Sequence, residues 1–154
     1  MGIIGVGHKI LGVVVPYLIA AVWLSVFKPE TYRIFSGQNY LLVPGLVILS
    51  AGLIVNAVSA IRVVKAYKDK KLLTDGTFAF SRHPVYSSFV LLTAPGFGLA
   101  FNSWAVLLAS PIALFMFLYT VKEEETHLEK QFGEPYWEYR NKTGKLFTIG
   151  KFKF

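Results

Sequence analysis

Three long stretches of the 154-residue chain contain no Asp, Glu, Lys or Arg: residues 10–27, 40–61 and 85–121. Apolar side chains dominate each stretch, without the regular polar positions of a helix that has one face in water. An uncharged apolar run of about 18 or more residues is long enough to cross the hydrocarbon core of a bilayer. The pattern therefore predicts an all-α integral membrane protein.

The third stretch is too long for one span, because a helix of its 37 residues would extend about 55 Å at 1.5 Å per residue. We expect a helical hairpin, with its break between Gly96-Phe97-Gly98 and Asn102-Ser103. Four spans result, at about 10–27, 40–61, 85–101 and 103–121. A signal peptide over the first span is disfavoured by the single preceding Lys9, the internal Pro16 and the lack of a small-x-small cleavage site.

Composition agrees with a membrane protein of one domain, residues 1–154. Apolar residues make up 54% of the chain, charged residues 16%, and the mean hydropathy is +0.50. These values argue against a soluble globule, a disordered chain and a nucleic-acid-binding domain. The absence of Cys excludes disulfides and thiol ligands, and with only three His residues no metal site is predicted.

The net charge of +7 is distributed unevenly along the chain. All of the 16 Lys and Arg residues except Lys28 and Arg33 fall before the first span, in residues 62–84 or in the tail 122–154. With four spans these three segments share one side of the membrane. The positive-inside rule then predicts a multi-pass protein with both termini and the polar clusters described below on the cytoplasmic side.

The tail from Lys122 to Tyr139 has the pattern of an amphipathic helix or helix pair. Leu128 and Phe132 lie four residues apart on one face, and Tyr136 and Tyr139 continue that face after a break at Gly133-Glu134-Pro135. We expect this tail to lie back under the bundle. The basic and aromatic residues of 142–154 suit the headgroup layer.

Two polar clusters flank the predicted hairpin, so both reach the same membrane face. The first, residues 74–86, contains Arg82-His83-Pro84, and Pro84 is expected as the first residue of a helix. The second, residues 122–128, contains Glu123, Glu124 and Glu125. Three consecutive carboxylates point in directions about 100° apart on a helix, so at least one is expected to face the bundle.

The segment from Gly76 to Tyr86, followed by Glu124-Glu125-x-x-Leu128-x-x-x-Phe132-Gly133-x-x-Tyr136-x-x-Tyr139, resembles the isoprenylcysteine carboxyl methyltransferase family and related phospholipid methyltransferases. The resemblance implies an integral membrane enzyme that moves a methyl group from S-adenosylmethionine to a lipophilic acceptor, either an isoprenylcysteine carboxylate or a lipid. It places the cofactor-binding region at about residues 70–140.

Site residues follow from the same resemblance and from their chemistry. The expected cofactor-binding residues are Leu72, Leu73, Thr74, Gly76, Phe78, Arg82, His83, Pro84, Val85, Tyr86 and Glu124. The expected acceptor-binding residues are Asn102, Thr120, Glu125, Tyr136 and Tyr139. A carboxylate suits the ammonium or ribose hydroxyls of the cofactor, Arg82 suits its carboxylate, and aromatic rings such as Phe78, Phe80 and Tyr86 attract a sulfonium.

The sequence departs from the family pattern at Thr120, where an Arg able to meet an acceptor carboxylate is usual, and at Thr143-Gly144, where a Val-Pro ending is usual. Both departures weaken the case for a prenylcysteine carboxylate. No catalytic residue is assigned, although an amine acceptor would need a base, for which His83, Glu125 and His127 are candidates.

Two alternatives remain open at this stage. Membrane sterol and steroid reductases look similar in this region but use NADPH, and they usually have Asn where this chain has Val85. A non-enzymatic membrane scaffold is the other alternative. For the scaffold, Glu124 and His83 would be dispensable.

Overall fold

The computed structural model describes residues 7–36, 40–150 and 152–154. Its helices are α1 (Gly7–Phe27), α2 (Pro29–Tyr32), α3 (Leu42–Asp69), α4 (Thr77–Phe80), α5 (Pro84–Ser88), α6 (Ala94–Ala100), α7 (Trp104–Leu107), α8 (Ala109–Phe132) and α9 (Glu134–Lys142), with a π-helical turn, Phe89–Thr93, between α5 and α6. Two short strands, β1 (Thr148–Ile149) and β2 (Phe152–Lys153), pair antiparallel. The predicted all-α membrane fold is confirmed, apart from this small sheet.

Within the described residues, three apolar helices have the length needed to cross a membrane: Gly7–Phe27, Leu42–Asp69 and Trp104–Phe132. They coincide with the first, second and fourth predicted spans. The segment predicted as the third span is a shorter apolar helix, Pro84–Ala100, made of α5, the π-helical turn and α6. Its length lies at the lower limit for a span, so the count of four remains a prediction.

The predicted hairpin break is wrong in part, because Gly96 and Gly98 lie inside α6. A Cβ atom on Gly96 would overlap the backbone of Leu49 in α3, and one on Gly98 would come within 2.6 Å of Leu107 Cα in α7. These glycines therefore permit close packing between helices. The chain reverses at Phe101–Ser103, where Asn102 adopts a positive φ of 50°.

Close packing also explains a stripe of small residues along α3. The buried residues of this helix are Gly45, Gly52, Ser59 and Ala66, one every seven residues. A Cβ on Gly52 would lie 2.6 Å from Thr93 Oγ1, so the helix Pro84–Ala100 packs almost backbone to backbone against α3. A seven-residue repeat keeps the stripe on one side of the helix.

The outward faces of α1 and α3 are apolar. Ile19, Val43, Val47, Ile54 and Ile61 are each more than 60% exposed. Such a belt is unfavourable in water, whereas lipid chains cover it without cost. The belt supports insertion of the bundle in a bilayer.

The helix pair that the sequence predicts for residues 122–139 is present in the tail. Helix α8 continues past Lys122 to Phe132, Gly133 breaks it with a φ of 60°, and α9 follows. Tyr136 and Tyr139 are buried with Phe78, and Leu128 and Phe132 pack against the three rings. This aromatic cluster joins α8 and α9 to the segment that precedes α5.

Candidate active site

A cavity of about 440 Å³ lies at the end of the bundle where α1 begins and α3 ends. Its walls come from α1, α3 and α8 and from residues 82–90. Of the eleven predicted cofactor-binding residues, seven line it: Phe78, Arg82, His83, Pro84, Val85, Tyr86 and Glu124. The cavity therefore joins the two polar clusters that flank the hairpin in the sequence.

The remaining four residues are not among the described residues that line the cavity; they lie in residues 72–76, the segment just before Phe78, which we call the approach. Leu72 and Leu73 pack against the aromatic cluster around Phe78. Thr74 is exposed, and Gly76 has a φ of 59° and lies directly against the Arg62 guanidinium. Phe80, by contrast, is 68% exposed and is not among the residues that line the cavity.

Arg62 fixes the conformation of this approach. Its Nη1 donates to the Asp75 carbonyl at 2.7 Å and its Nη2 to the Asp75 carboxylate at 2.5 Å. The hydrogen bonds from Arg62 and its positive charge hold the pKa of Asp75 below its usual value. The guanidinium also lies 5.7 Å from the centre of the Phe78 ring, so the approach and the cavity wall are held together.

The turn at Ser81–His83 positions two side chains of the cavity, Arg82 and His83. As predicted, Pro84 is the first residue of its helix, and His83 occupies the N-cap position without capping through its side chain. The His83 N–H donates to Ser81 Oγ at 3.0 Å, and the Ser81 and Ser87 hydroxyls share a hydrogen bond of 2.7 Å. These bonds hold the turn that places Arg82 and His83 beside the buried Glu125.

The three consecutive glutamates have three different surroundings. Glu123 is exposed and pairs with Lys9 at 2.6 Å, whereas the buried Glu125 accepts from Arg82 Nη2 at 2.6 Å. Glu124 lies between these extremes and lines the cavity. The expectation that at least one carboxylate faces the bundle is confirmed.

The ion pair of Arg82 and Glu125 is almost fully buried, at 7% and 5% side-chain exposure. Arg82 Nη1 also donates to the Arg140 carbonyl at 3.0 Å, and Lys145 Nζ lies 3.5 Å from the second Glu125 oxygen. A buried pair of this kind is stable only when its remaining hydrogen-bonding atoms are satisfied. Here Arg82 Nε is buried with no hydrogen-bond partner among the described residues.

His83 lies between two carboxylates. Its Nδ1 is 3.4 Å from Glu124 Oε1 and its Nε2 is 3.6 Å from Glu125 Oε1. Burial lowers the pKa of His83, but the nearby Glu124 and Glu125 carboxylates, through their contacts with the ring and their negative charges, outweigh burial and raise the pKa above the ordinary 6.5. Both carboxylates thus stabilise the protonated ring, although Nε2 has no partner within hydrogen-bond distance in the described part of the chain.

Aromatic rings enclose the acidic edge of the cavity. The Tyr86 hydroxyl donates to Glu124 Oε2 at 3.1 Å. The Phe117 ring lies 5.4 Å from the Tyr86 ring and 5.5 Å from the His83 ring, centre to centre. A carboxylate beside aromatic faces suits a cationic ligand group.

The predicted acceptor-binding residues are not among the residues that line the cavity. Thr120 is buried and donates to the Met116 carbonyl at 2.7 Å, and the Tyr139 hydroxyl donates to the Phe78 carbonyl at 2.6 Å. Burial raises the pKa of both Tyr136 and Tyr139. Glu125 is held by Arg82, as described above.

Asn102 lies at the other end of the bundle. Its side-chain oxygen accepts from the Phe35 N–H at 3.1 Å, and its amide group donates to the Phe35 carbonyl at 3.0 Å. It thereby ties the hairpin turn to the segment that follows α2. His127, a candidate base, does not line the cavity among the described residues.

Sequence reasoning missed the cavity walls on α1 and α3, which include Ile10, Asn56 and Val63. Asn56 donates to the Val85 carbonyl at 3.0 Å and so joins α3 to the start of α5. An Asn in the middle of an otherwise apolar span is expensive in lipid, and that signal could have identified it. Leu146, which packs into the same core, carries no such signal.

Comparison with known proteins identifies the family of this chain. A family model described as phospholipid methyltransferase matches residues 39–135, more than half of the chain. A Protein-S-isoprenylcysteine O-methyltransferase from Schizosaccharomyces pombe is 36% identical over 78 residues, which cover 51% of this chain and 33% of that relative. The chain thus matches about a third of the relative's length, and no solved structure matches it. The chain belongs to the phospholipid methyltransferase family.

Proposed function

We propose that this chain is an integral membrane methyltransferase that uses S-adenosylmethionine to methylate a lipophilic acceptor, either a lipid or an isoprenylcysteine carboxylate. Family membership and the named activity of the relative support a methyltransferase over a reductase or a scaffold. The observation that carries the proposal is the cavity. It combines Glu124, His83 and Tyr86 at one edge with apolar walls supplied by the long helices.

The residues present fit the cofactor. S-adenosylmethionine supplies a methyl group on a sulfonium, together with an ammonium, a carboxylate and ribose hydroxyls. Glu124 would accept hydrogen bonds from the ammonium or the ribose, and the rings of Tyr86 and Phe117 suit the sulfonium. Arg82 and His83, which also line the cavity, would offer positive charge to the cofactor carboxylate. These groups act by orientation, so methyl transfer needs no protein nucleophile.

Apolar residues offer the acceptor a route from the bilayer. Leu11 of α1 and Val64 of α3 line the cavity and are also 51% and 41% exposed on the bundle surface. The cavity therefore reaches the outer face of the bundle between two apolar helices. A lipid chain fits such an opening, while the polar edge holds the atom to be methylated.

The charges at the cavity favour a lipid over a carboxylate acceptor. Among the described lining residues, Arg82 is the one Lys or Arg, and its Nη atoms already bind Glu125 and the Arg140 carbonyl. Thr120, at the position where the family usually has Arg, is buried away from the cavity. With Arg82 and His83 assigned to the cofactor carboxylate, an acceptor carboxylate would meet Glu124 without a further cation among the described lining residues.

The distribution of Lys and Arg along the chain supports a cytoplasmic location of the cavity. The cavity lies at the bundle end that carries residues 62–84 and the tail, where most of the Lys and Arg residues fall. Positive residues near short loops are retained in the cytoplasm. The cofactor would then enter from the cytosol.

Direct binding tests the proposal. S-adenosylmethionine, S-adenosylhomocysteine and NADPH are titrated separately onto detergent-purified protein, onto Glu124→Gln and onto Glu123→Gln. We expect both adenosyl compounds to bind, Glu124→Gln to weaken binding by about tenfold or more through loss of a charge-assisted hydrogen bond, and Glu123→Gln to match the wild type. Absence of adenosyl binding at millimolar concentration overturns the proposal, and NADPH binding would support a reductase.

The acceptor is tested by transfer of labelled methyl in reactions with a lipid extract or with a prenylcysteine. We expect label in the lipid extract, because the described lining residues offer no cation beyond those assigned to the cofactor carboxylate. Label in prenylcysteine alone would overturn the preference for a lipid. A Thr120→Arg variant tests the same point, because an Arg at position 120 can promote methylation of a carboxylate only if its side chain reaches the acceptor.

A further inference from the structure

The chain after α9 lies across the turn that carries Arg82 and His83. We call residues 143–146 the strap. The Arg82 N–H donates to the Gly144 carbonyl at 2.9 Å, and Ser81 Oγ donates to the Lys145 carbonyl at 2.8 Å. The strap lies outside the region matched by the family model, yet it holds the backbone of the cavity edge.

The strap lies at the level where the apolar part of the bundle ends. Leu146 is 2% exposed and is buried in one cluster with Val14, Phe117 and Val121. Val14 and Val121 belong to the uncharged stretches predicted as spans, and the charged run of α8 begins at the next residue, Lys122. Leu146 is therefore level with the end of the uncharged stretch of α8, the position expected for the boundary between the hydrocarbon and the headgroup layer.

A small hairpin extends from this boundary. We call residues 147–154 the tail hairpin, of which residue 151 lies outside the described residues. The Leu146 N–H donates to the Phe154 carbonyl at 2.6 Å, and the Phe147 and Phe154 rings stack with centres 5.7 Å apart. Each arm spans about 10 Å at 3.3 Å per residue, comparable to the thickness of a headgroup layer.

The side chains of the tail hairpin have the chemistry of a bilayer surface. Ile149, Phe152 and Phe154 are 70%, 80% and 62% exposed. Residues 142–154 contain four Lys and no Asp or Glu. Exposed aromatic residues interleaved with Lys are typical of segments that lie among anionic headgroups.

We propose that the tail hairpin binds anionic phospholipid headgroups of the bilayer that holds the bundle, and that the strap transmits this anchoring to the Arg82–His83 turn. The anchoring rests on membrane insertion of the bundle. The consequence for ligand binding rests on the proposed function, because only then is the turn part of a cofactor site. The headgroup composition would then set how firmly the cavity edge is held.

Depth-dependent quenching tests the anchoring. The chain has no Cys, so a fluorophore can be attached to Phe152→Cys or to the control Lys130→Cys in nanodiscs that contain headgroup spin-labelled lipid. Lys130 is exposed and lies nine residues beyond Val121, about 13 Å farther along the α8 axis. We expect strong quenching at 152 and several-fold weaker quenching at 130. Equal quenching at both positions, or none at 152, overturns the anchoring.

The fluorophore at position 152 also tests whether the tail hairpin prefers anionic phospholipid headgroups. Quenching at 152 should rise from neutral nanodiscs to nanodiscs with about 30% anionic phospholipid, and high salt should reverse the rise. Identical quenching in neutral and anionic nanodiscs overturns the recognition of anionic headgroups. None of these measurements involves methyl transfer, so failure of the proposed function leaves them interpretable.

Hydrogen exchange tests the transmission through the strap. The Arg82 amide should exchange about fivefold more slowly in anionic than in neutral nanodiscs, the change expected from one lysine near an anionic surface. The double variant Phe152→Ser/Lys153→Gln should lose this difference, while the Phe35 amide, bound to Asn102, should not respond to lipid in either protein. An Arg82 amide that is insensitive to lipid in the wild type overturns the transmission.

Discussion

The two ends of the bundle handle buried polar groups differently. We call the end of the bundle that carries Asn102 the loop end. There, the Asn102 side chain makes two hydrogen bonds with the Phe35 backbone, and the Ser25 and Ser103 hydroxyls share a bond of 2.6 Å. At the cavity end, Arg82 Nε and His83 Nε2 are buried with no hydrogen-bond partner in the described residues. The polar side chains named at the loop end are therefore hydrogen-bonded to each other or to the backbone, whereas these two donors at the cavity end are not.

The difference indicates what each end is for. An unmatched buried polar group costs about 1–3 kcal/mol, so native chains seldom keep several of them together. Under the proposed function, ligand binding at the cavity end would recover part of this cost if it gave these donors partners. The loop end thus holds the chain together, whereas the cavity end keeps unmatched donors, as expected of the proposed binding site.

The largest expected contrast between the ends is the side of the membrane from which each can be labelled. With an impermeant maleimide and sealed vesicles, Ser36→Cys and Glu138→Cys should be labelled from opposite sides of the membrane. Both residues are exposed, and the chain has no native Cys to interfere. Labelling of both from the same side contradicts the four-span topology and the separation of the two ends.

Removal of the buried cation at the cavity end is the next largest effect. Arg82→Met removes the cation that contacts the buried Glu125 most closely and leaves Lys145 and His83 beside it, and we expect a loss of about 3–5 kcal/mol in the free energy of unfolding. Chemical denaturation in detergent measures the loss. Arg82→Met/Glu125→Gln should recover part of it, because the unpaired charge is gone.

The neighbouring glutamate supplies a matched control. Lys9→Met breaks the exposed pair with Glu123, and the cost should not exceed about 1 kcal/mol because water already solvates both groups. If the two Met variants lose similar stability, the Arg82 pair does not organise the cavity end.

Local features of the site could be predicted from the sequence. The uncharged stretches, the start of a helix at Pro84 and the break at Gly133 depend on properties of a few adjacent residues. The convergence of the two polar clusters followed from the hairpin between them. Such inferences need only helix length and the chemistry of the residue itself.

Other features depend on partners distant in the sequence. Gly96 and Gly98 were expected to break a helix, but they serve close packing, and only Leu49 and Leu107 reveal that role. Leu146 joins the core through a tail whose path is set by hydrogen bonds to Ser81 and Arg82. Neither the packing role of these glycines nor the core position of Leu146 produces a local pattern in the sequence.

A smaller effect is expected at the loop end. Asn102→Ala removes both bonds to Phe35 and places a non-glycine side chain at positive φ without a compensating hydrogen bond, so we expect a loss of about 1–3 kcal/mol in stability. Asn102→Gly should lose less, since glycine accepts that φ. S-adenosylmethionine affinity, measured by titration, should stay within about twofold of wild type because the mutation lies outside the cavity. A tenfold loss of affinity would contradict the functional separation of the ends.

The smallest effect is the pH dependence contributed by His83. Its pKa is raised in the folded protein, so between the unfolded value of 6.5 and the folded value the native state binds more protons than the unfolded state. The stabilisation from the imidazolium is therefore complete below about pH 6.5 and is lost as the pH rises through the folded pKa. Unfolding measured against pH for wild type and His83→Gln should show the wild-type advantage shrinking with rising pH, by no more than about 1.4 kcal/mol per pH unit. A wild-type advantage that is constant or grows with pH would mean that Glu124 and Glu125 do not hold a proton on His83, and the cavity end would then lack the second charged donor that distinguishes it from the loop end.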